Sequence, residues 1–322
     1  DLGSETWREW SLGPRDHYVW GFIEGGCRVL LTLAEGARPA RLLSVGLDGR
    51  DARELIVYDE LPAADWGVWE PQVTPDGERI AFTWIRNQPT RGGGTRRDTH
   101  IAWVDAAGGA PTLYSVTGRE YTPQWSPDGA WLAYVSYDER PAGETLFATA
   151  VPTAEPPPGV TPPPPVLLNE ADLWVVSRDG ETKYRLTSFA TGSVSMPRWS
   201  GDSELVSFVY SPSGGNDTFW MIANQERSIA TQLSFTWNLI LDMTWLPDST
   251  AILGVARDFR GVAQNVLWRI PLVGSADDNA VRYLETLDLP NADYPRFSPD
   301  GRWLALRRAY DQIGRASCRG RV

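Results

Sequence analysis

Lysine is almost missing from this chain: of its 30 basic residues, only Lys183 is a lysine and the rest are arginine. Set against 41 acidic residues, the formal net charge is −11. That balance excludes a basic surface for tracking a phosphate backbone, so no nucleic-acid partner is expected. Cysteine is as scarce, and Cys27 with Cys318 makes no disulfide framework. Histidine stops at His17 and His100, neither beside a nucleophile in sequence, and no Gly-x-Ser-x-Gly elbow occurs. Catalytic machinery is therefore not expected within the chain itself. No apolar run approaches the roughly eighteen residues of a membrane span, so no transmembrane segment is expected. Dense oxygen-ligand loops are missing too; no metal or other cofactor is expected.

What the chain has is tryptophan, 16 in all, and one recurring hairpin. "PQVTPDGERIAFTW" begins at Pro71, "PQWSPDGAWLAYVS" at Pro123, "PRWSGDSELVSFVY" at Pro197, "MTWLPDSTAILGVA" at Met243 and "PRFSPDGRWLALRR" at Pro295. In each, a turn with Asp76, Asp128, Asp202, Asp248 or Asp300 joins two short apolar strands. Proline presets φ, aspartate bonds nearby backbone, and glycine supplies a positive φ, so these aspartates read as structural turn residues. A weaker sixth copy puts Gly25 in the aspartate's place. Gly201 departs from the pattern by replacing the turn proline, and Ser203 and Ser249 by replacing the glycine. Since a non-glycine residue in the left-handed region costs roughly 1–2 kcal/mol, those two turns are expected to use another geometry.

Between hairpins recurs a strand with a tryptophan, at Trp103, Trp174, Trp220 and Trp268, then a turn and a short fourth strand. Four strands in roughly 40–50 residues is the size of a propeller blade. The expected fold is all-β: a β-propeller of four-stranded antiparallel blades, six in number. The last blade is either incomplete or closed by a strand from residues 4–12. Such blades hide both faces against neighbours, so Trp199 and the other repeat tryptophans should be wedged between them.

One spacing is long because "VPTAEPPPGVTPPPP", residues 151–165, carries eight prolines and cannot pair in a sheet. It reads as a solvated polyproline-like spacer within one blade. The domain reading is an N-terminal segment over 1–16, a propeller over 17–311 and a tail over 312–322. That tail, "QIGRASCRGRV", abandons the strand pattern and resembles the translated read-through of a sequencing adapter. The natural protein is expected to continue past Asp311.

The hairpin "PQWSPDGAWLAY" followed by "LWVVSRDGETKYRLT" resembles the repeat of the TolB-like β-propellers, WD40-like Pro-Asp repeats. The same repeat type builds the propeller of prolyl-oligopeptidase-type serine peptidases. The resemblance implies a monomeric, non-enzymatic platform for a protein or peptide partner, in the bacterial periplasm or outside the cell. A second reading is the substrate-gating propeller of such a peptidase, cut before its catalytic domain. A third is a sugar-binding or sugar-processing propeller using the surplus tryptophans.

Candidate ligand residues follow from the repeat register. Gln72, Gln124, Arg198, Thr244 and Arg296 occupy one repeat position, expected at the mouth of the central channel, with Asp242 and Asp293 nearby. Arg96 and Arg97 belong to "RNQPTRGGGTRRD", read as a flexible cationic loop. Trp66 and Trp69 precede a hairpin, where entry loops line a propeller face. Together these residues suit a peptide terminus or a small anion.

Overall fold

The computed structural model describes residues 16–308 apart from 24–26, 35–39, 60–64, 90–92, 116–117, 142–166, 190, 214, 234–239, 258–264, 274–278, 284–291 and 298–303. Asp300, the segment 4–12, the proline-rich 151–165 and the tail 312–322 lie outside the described residues. The chain divides into two compact units, Asp1–Trp125 and Ser126–Val322.

In the first unit, β1 (Asp16–Ile23), β2 (Arg28–Ala34), β3 (Arg41–Gly46) and β4 (Arg53–Glu54) pair in chain order as a four-stranded antiparallel sheet. A second such sheet holds β5 (Trp66–Val73), β6 (Arg79–Pro89), β7 (Thr95–Asp105) and β8 (Thr112–Leu113). β9 (Glu120–Trp125) opens the third repeat. In the second unit, β10 (Trp131–Pro141), β11 (Leu167–Ser177) and β12 (Lys183–Arg185) pair in succession. The next blade is β13 (Ser193–Trp199), β14 (Leu205–Ser211), β15 (Thr218–Ala223) and β16 (Thr231–Gln232). β17 (Ile240–Trp245), β18 (Ala251–Arg257), β19 (Asn265–Pro271) and β20 (Val281–Arg282) make another, and β21 (Ala292–Phe297) pairs with β22 (Leu304–Arg308).

Each blade needs cover on both faces because its second strand carries a continuous buried, mostly apolar run. Residues Ile80 to Trp84 on β6 and Ala251 to Ala256 on β18 are all buried. Within each unit the first strands of successive blades pack together: β1 with β5 and β5 with β9, β13 with β17 and β17 with β21. Trp199 sits in a cluster with Leu173 and Val175 of one blade and Val206 and Phe208 of the next. Trp245 does the same between Phe219 and Ile252, and its indole N–H donates to the Arg198 carbonyl at 3.0 Å.

The aspartate turns are closed by local hydrogen bonds. Ser126 Oγ donates to Asp128 Oδ1 and accepts from Trp131 N, while Asp128 Oδ1 takes Ala130 N. Thr74 with Asp76 and Ser200 with Asp202 repeat this box. Ser177 with Asp179 builds it again between a third and a fourth strand. In the fifth repeat Leu246 has no hydroxyl, and Asp248 accepts from Thr250 N and Thr250 Oγ1 instead. These bonds hold the carboxyls of Asp202 and Asp248 below the usual aspartate value; the Ser200 hydroxyl leads for the first, the Thr250 N–H for the second.

Two expectations about turns and loops are corrected. Ser203 and Ser249 keep the glycine geometry, with φ of 64° and 57° beside 76° at Gly77 and 70° at Gly129. The strain is offset at Ser203, whose Oγ accepts the Asp128 N–H of the preceding blade's turn at 3.1 Å. Gly201 has a matching reason: a Cβ there would lie 3.1 Å from Ser249 Oγ and 3.2 Å from the Pro247 carbonyl. The stretch from Arg86 to Asp98 is not a loose cationic loop. It extends the β6–β7 hairpin as far as Pro89 opposite Thr95.

Candidate functional site

Apart from Arg96 and Arg97 on β7, the candidate residues lie on first strands, and these strands share a local irregularity. One extra residue bulges β5 between Trp69 and Gln72, β13 between Ser195 and Arg198, and β21 between Asp293 and Arg296. Glu70, Thr122 and Met196 occupy the same repeat position with φ of 50°, 54° and 54°. Each precedes a proline (Pro71, Pro123, Pro197), which disfavours the right-handed helical region for the residue before it. The cost is roughly 1–2 kcal/mol each, and a bulge re-aims the side chains on either side of it.

In the second unit, three of the expected residues converge. Asp242 is buried, and its Oδ1 accepts from Arg198 NH2 at 2.9 Å and from Met243 N at 2.8 Å. Its Oδ2 accepts from Arg296 NH1 at 2.9 Å. Arg198 is pinned further, its Nε donating to the Met243 carbonyl and its NH1 to the Pro197 carbonyl. Arg296 is the outward member, with a side chain 45% exposed against 17% for Arg198. Two guanidiniums converge on one carboxylate, a clustering of cations that is a setting for a carboxylate or phosphate. Thr244 lies half-buried on the same strand as Asp242. Asp293 is on β21 opposite Arg307.

In the first unit the expected residues separate. Trp66 is buried in the core beneath the Arg41 guanidinium, 3.9 Å from its ring, and is not presented to a ligand. Trp69, three residues on, is 52% exposed. Gln72 and Gln124 are partly exposed on β5 and β9. Arg96 is tied to Asp98, Nε to Oδ1 at 2.8 Å and NH2 to Oδ2 at 2.9 Å, and that bond raises its pKa. Arg97 reaches Asn87 Oδ1 at 3.4 Å.

Sequence reading missed Glu120. It is fully buried, and its Oε2 lies 3.7 Å from His100 Nδ1 and accepts the Gly118 N–H at 3.2 Å. Burial pushes the His100 pKa down; the Glu120 charge opposes this and Arg86 adds to it. The nearby Ser115 hydroxyl accepts the Ile101 N–H and is part of the backbone scaffold. Asp172 shows what this repeat position does. In the next blade it stands where His100 stands and takes Thr187 Oγ1, Phe189 N and Arg185 NH1. The position ties a third strand to the segment after the fourth. The parallel bridges Thr99 to Arg119 and Ala171 to Ser193 fall at matching places.

Four-stranded antiparallel sheets in serial repeats also occur in solved proteins. The putative TolB of Agrobacterium tumefaciens superposes with a TM-score of 0.51 at 17% identity, covering 84% of this chain and 81% of that one. The fold is a TolB-like β-propeller. A prolyl endopeptidase matches with a TM-score of 0.58 at 11% identity over 91% of this chain and 39% of its own. No family model matches the sequence. A curated relative, the uncharacterized peptidase YuxL of Bacillus subtilis (strain 168), is 26% identical over 258 residues. That span is 79% of this chain and 31% of the relative, so this chain matches about a third of that protein's length.

Proposed function

We propose that this chain is the propeller module of a prolyl-oligopeptidase-type serine peptidase, the part that admits peptide to a hydrolase domain carried elsewhere in the same protein. The observation that carries this reading is the match to YuxL, a peptidase by name, which runs through most of the propeller and a minority of the relative. The Arg198–Asp242–Arg296 group supports it. Its paired guanidiniums, with Arg296 turned outward, suit the C-terminal carboxylate of an incoming peptide. The resemblance to TolB supports a periplasmic or extracellular location.

The test is the uninterrupted gene and its product. A Gly-x-Ser-x-Gly elbow followed by a later aspartate and histidine, with a serine labelled by a fluorophosphonate probe, is the expected result. A stop codon after one further blade would refute the peptidase reading. A second reading, a non-enzymatic platform for a protein partner, is favoured by one observation: the match to the Agrobacterium structure takes in most of that chain as well as most of this one. The stop codon is its expected result.

A further inference from the structure

One repeat position in the first unit carries three exposed aromatic rings. Tyr18 stands opposite Thr32 on the β1–β2 pair, and Trp69 opposite Thr83 on the β5–β6 pair, the same register in successive blades. Tyr121 holds this position on β9, directly before the left-handed Thr122, as Trp69 directly precedes the left-handed Glu70. The three are 53%, 52% and 36% exposed. Since β1 packs beside β5 and β5 beside β9, these positions make a row across neighbouring strands, one to a strand. In the second unit the same position holds Ser195, Leu241 and Asp293, so the blade fold does not require an aromatic there. Three residues beyond Trp69 and Tyr121, across the bulge, Gln72 and Gln124 add partly exposed amides.

We infer that this row is a docking platform for the apolar side chains of an extended peptide, an inference that rests on the peptide-handling reading above. Ring faces take aliphatic or aromatic side chains with little entropy cost, because Tyr and Trp turn about few bonds. A glutamine amide both donates and accepts, which matches the N–H and C=O groups of an extended backbone. Tyr18, Trp69, Tyr121, Gln72 and Gln124 bear no charge. The row therefore selects an uncharged stretch of peptide, whereas the arginine pair of the second unit selects an anionic end.

The probe is fluorescein-Gly-(Leu-Ser-Gly)3-amide, titrated with the full chain and read by fluorescence anisotropy, with a (Ser-Ser-Gly)3 control. The leucine peptide is expected to saturate and the control to fail. Trp69→Ala, Tyr18→Ala and Tyr121→Ala should each weaken binding about tenfold, and Trp69→Phe should recover most of the loss. Unchanged midpoints of thermal unfolding will show that these surface variants fold. Equal affinity in the alanine variants overturns the platform. So does absent leucine-peptide binding, or binding of cellohexaose in its place. The measurement needs no hydrolysis: a gene without a hydrolase domain refutes the peptidase reading and leaves measured binding standing. An intact hydrolase with unaffected alanine variants refutes only the platform.

Discussion

Asp242→Asn keeps the side chain's size and removes its charge, leaving two arginines aimed at an amide. Three donors converge on the native carboxylate, two guanidinium nitrogens at 2.9 Å and the Met243 N–H at 2.8 Å. An amide has one accepting atom, so one guanidinium must face an NH2 group, donor to donor. Breaking a buried ion pair costs about 3–5 kcal/mol. Two features reduce that figure here. Arg198 keeps the Met243 and Pro197 carbonyls, and Arg296, 45% exposed, can rehydrate. The expected loss is about 2–3 kcal/mol, read as a lower urea midpoint with an unchanged slope. The thermal midpoint should fall by about 4–8 °C. The double variant Asp242→Asn/Arg198→Met should lose less than the sum of the two single variants, because both remove one interaction. A loss below about 0.5 kcal/mol, or strict additivity, would refute the reading that this buried carboxylate binds both arginines.

Trp199→Ala empties a site between two blades and should cost about 3–5 kcal/mol by urea unfolding; a midpoint that barely moves would contradict the inter-blade packing. Ser249→Gly relieves a left-handed serine and should raise stability by roughly 1 kcal/mol, checked the same way. Acid should weaken the fold through Asp202 and Asp248. Their folded pKa values lie below the usual 3.8, so their contribution is complete above that value and fades as pH falls through the folded values. Both are surface carboxylates, so the effect is small; replacing both by Asn should flatten the stability profile below about pH 4.

Much of the fold was legible because its signals are local. The turn aspartates bond atoms two residues away, and the repeat register that aligned them also aligned Arg198 and Arg296, with Asp242 two residues before the same position in its own repeat. Sequence placed those three near one another by counting repeats. It did not show that Asp242 engages both arginines, because their separations of 44 and 54 residues carry no local mark. Trp66 and Trp69 looked equivalent from the chain. Strand alternation sends one into the core and the other to solvent. Glu120 gave no signal at all: the parallel bridge from Thr99 to Arg119 beside it, and its bond from the Gly118 N–H, leave no mark in the sequence. The stretch after Arg86 read as a loop because three glycines dominate it, yet its flanks pair from Arg86 opposite Asp98 to Pro89 opposite Thr95.

Gly201 and Ser249 belong to different repeats, and the space one leaves is the space the other's hydroxyl fills. Ser203 and the backbone of Asp128 are matched across a joint in the same way. These modules are therefore not interchangeable bricks. An engineer who transplants one must carry across the contour of the next, and in a lineage that duplicates or deletes a module, residues on both sides of the new seam must change together.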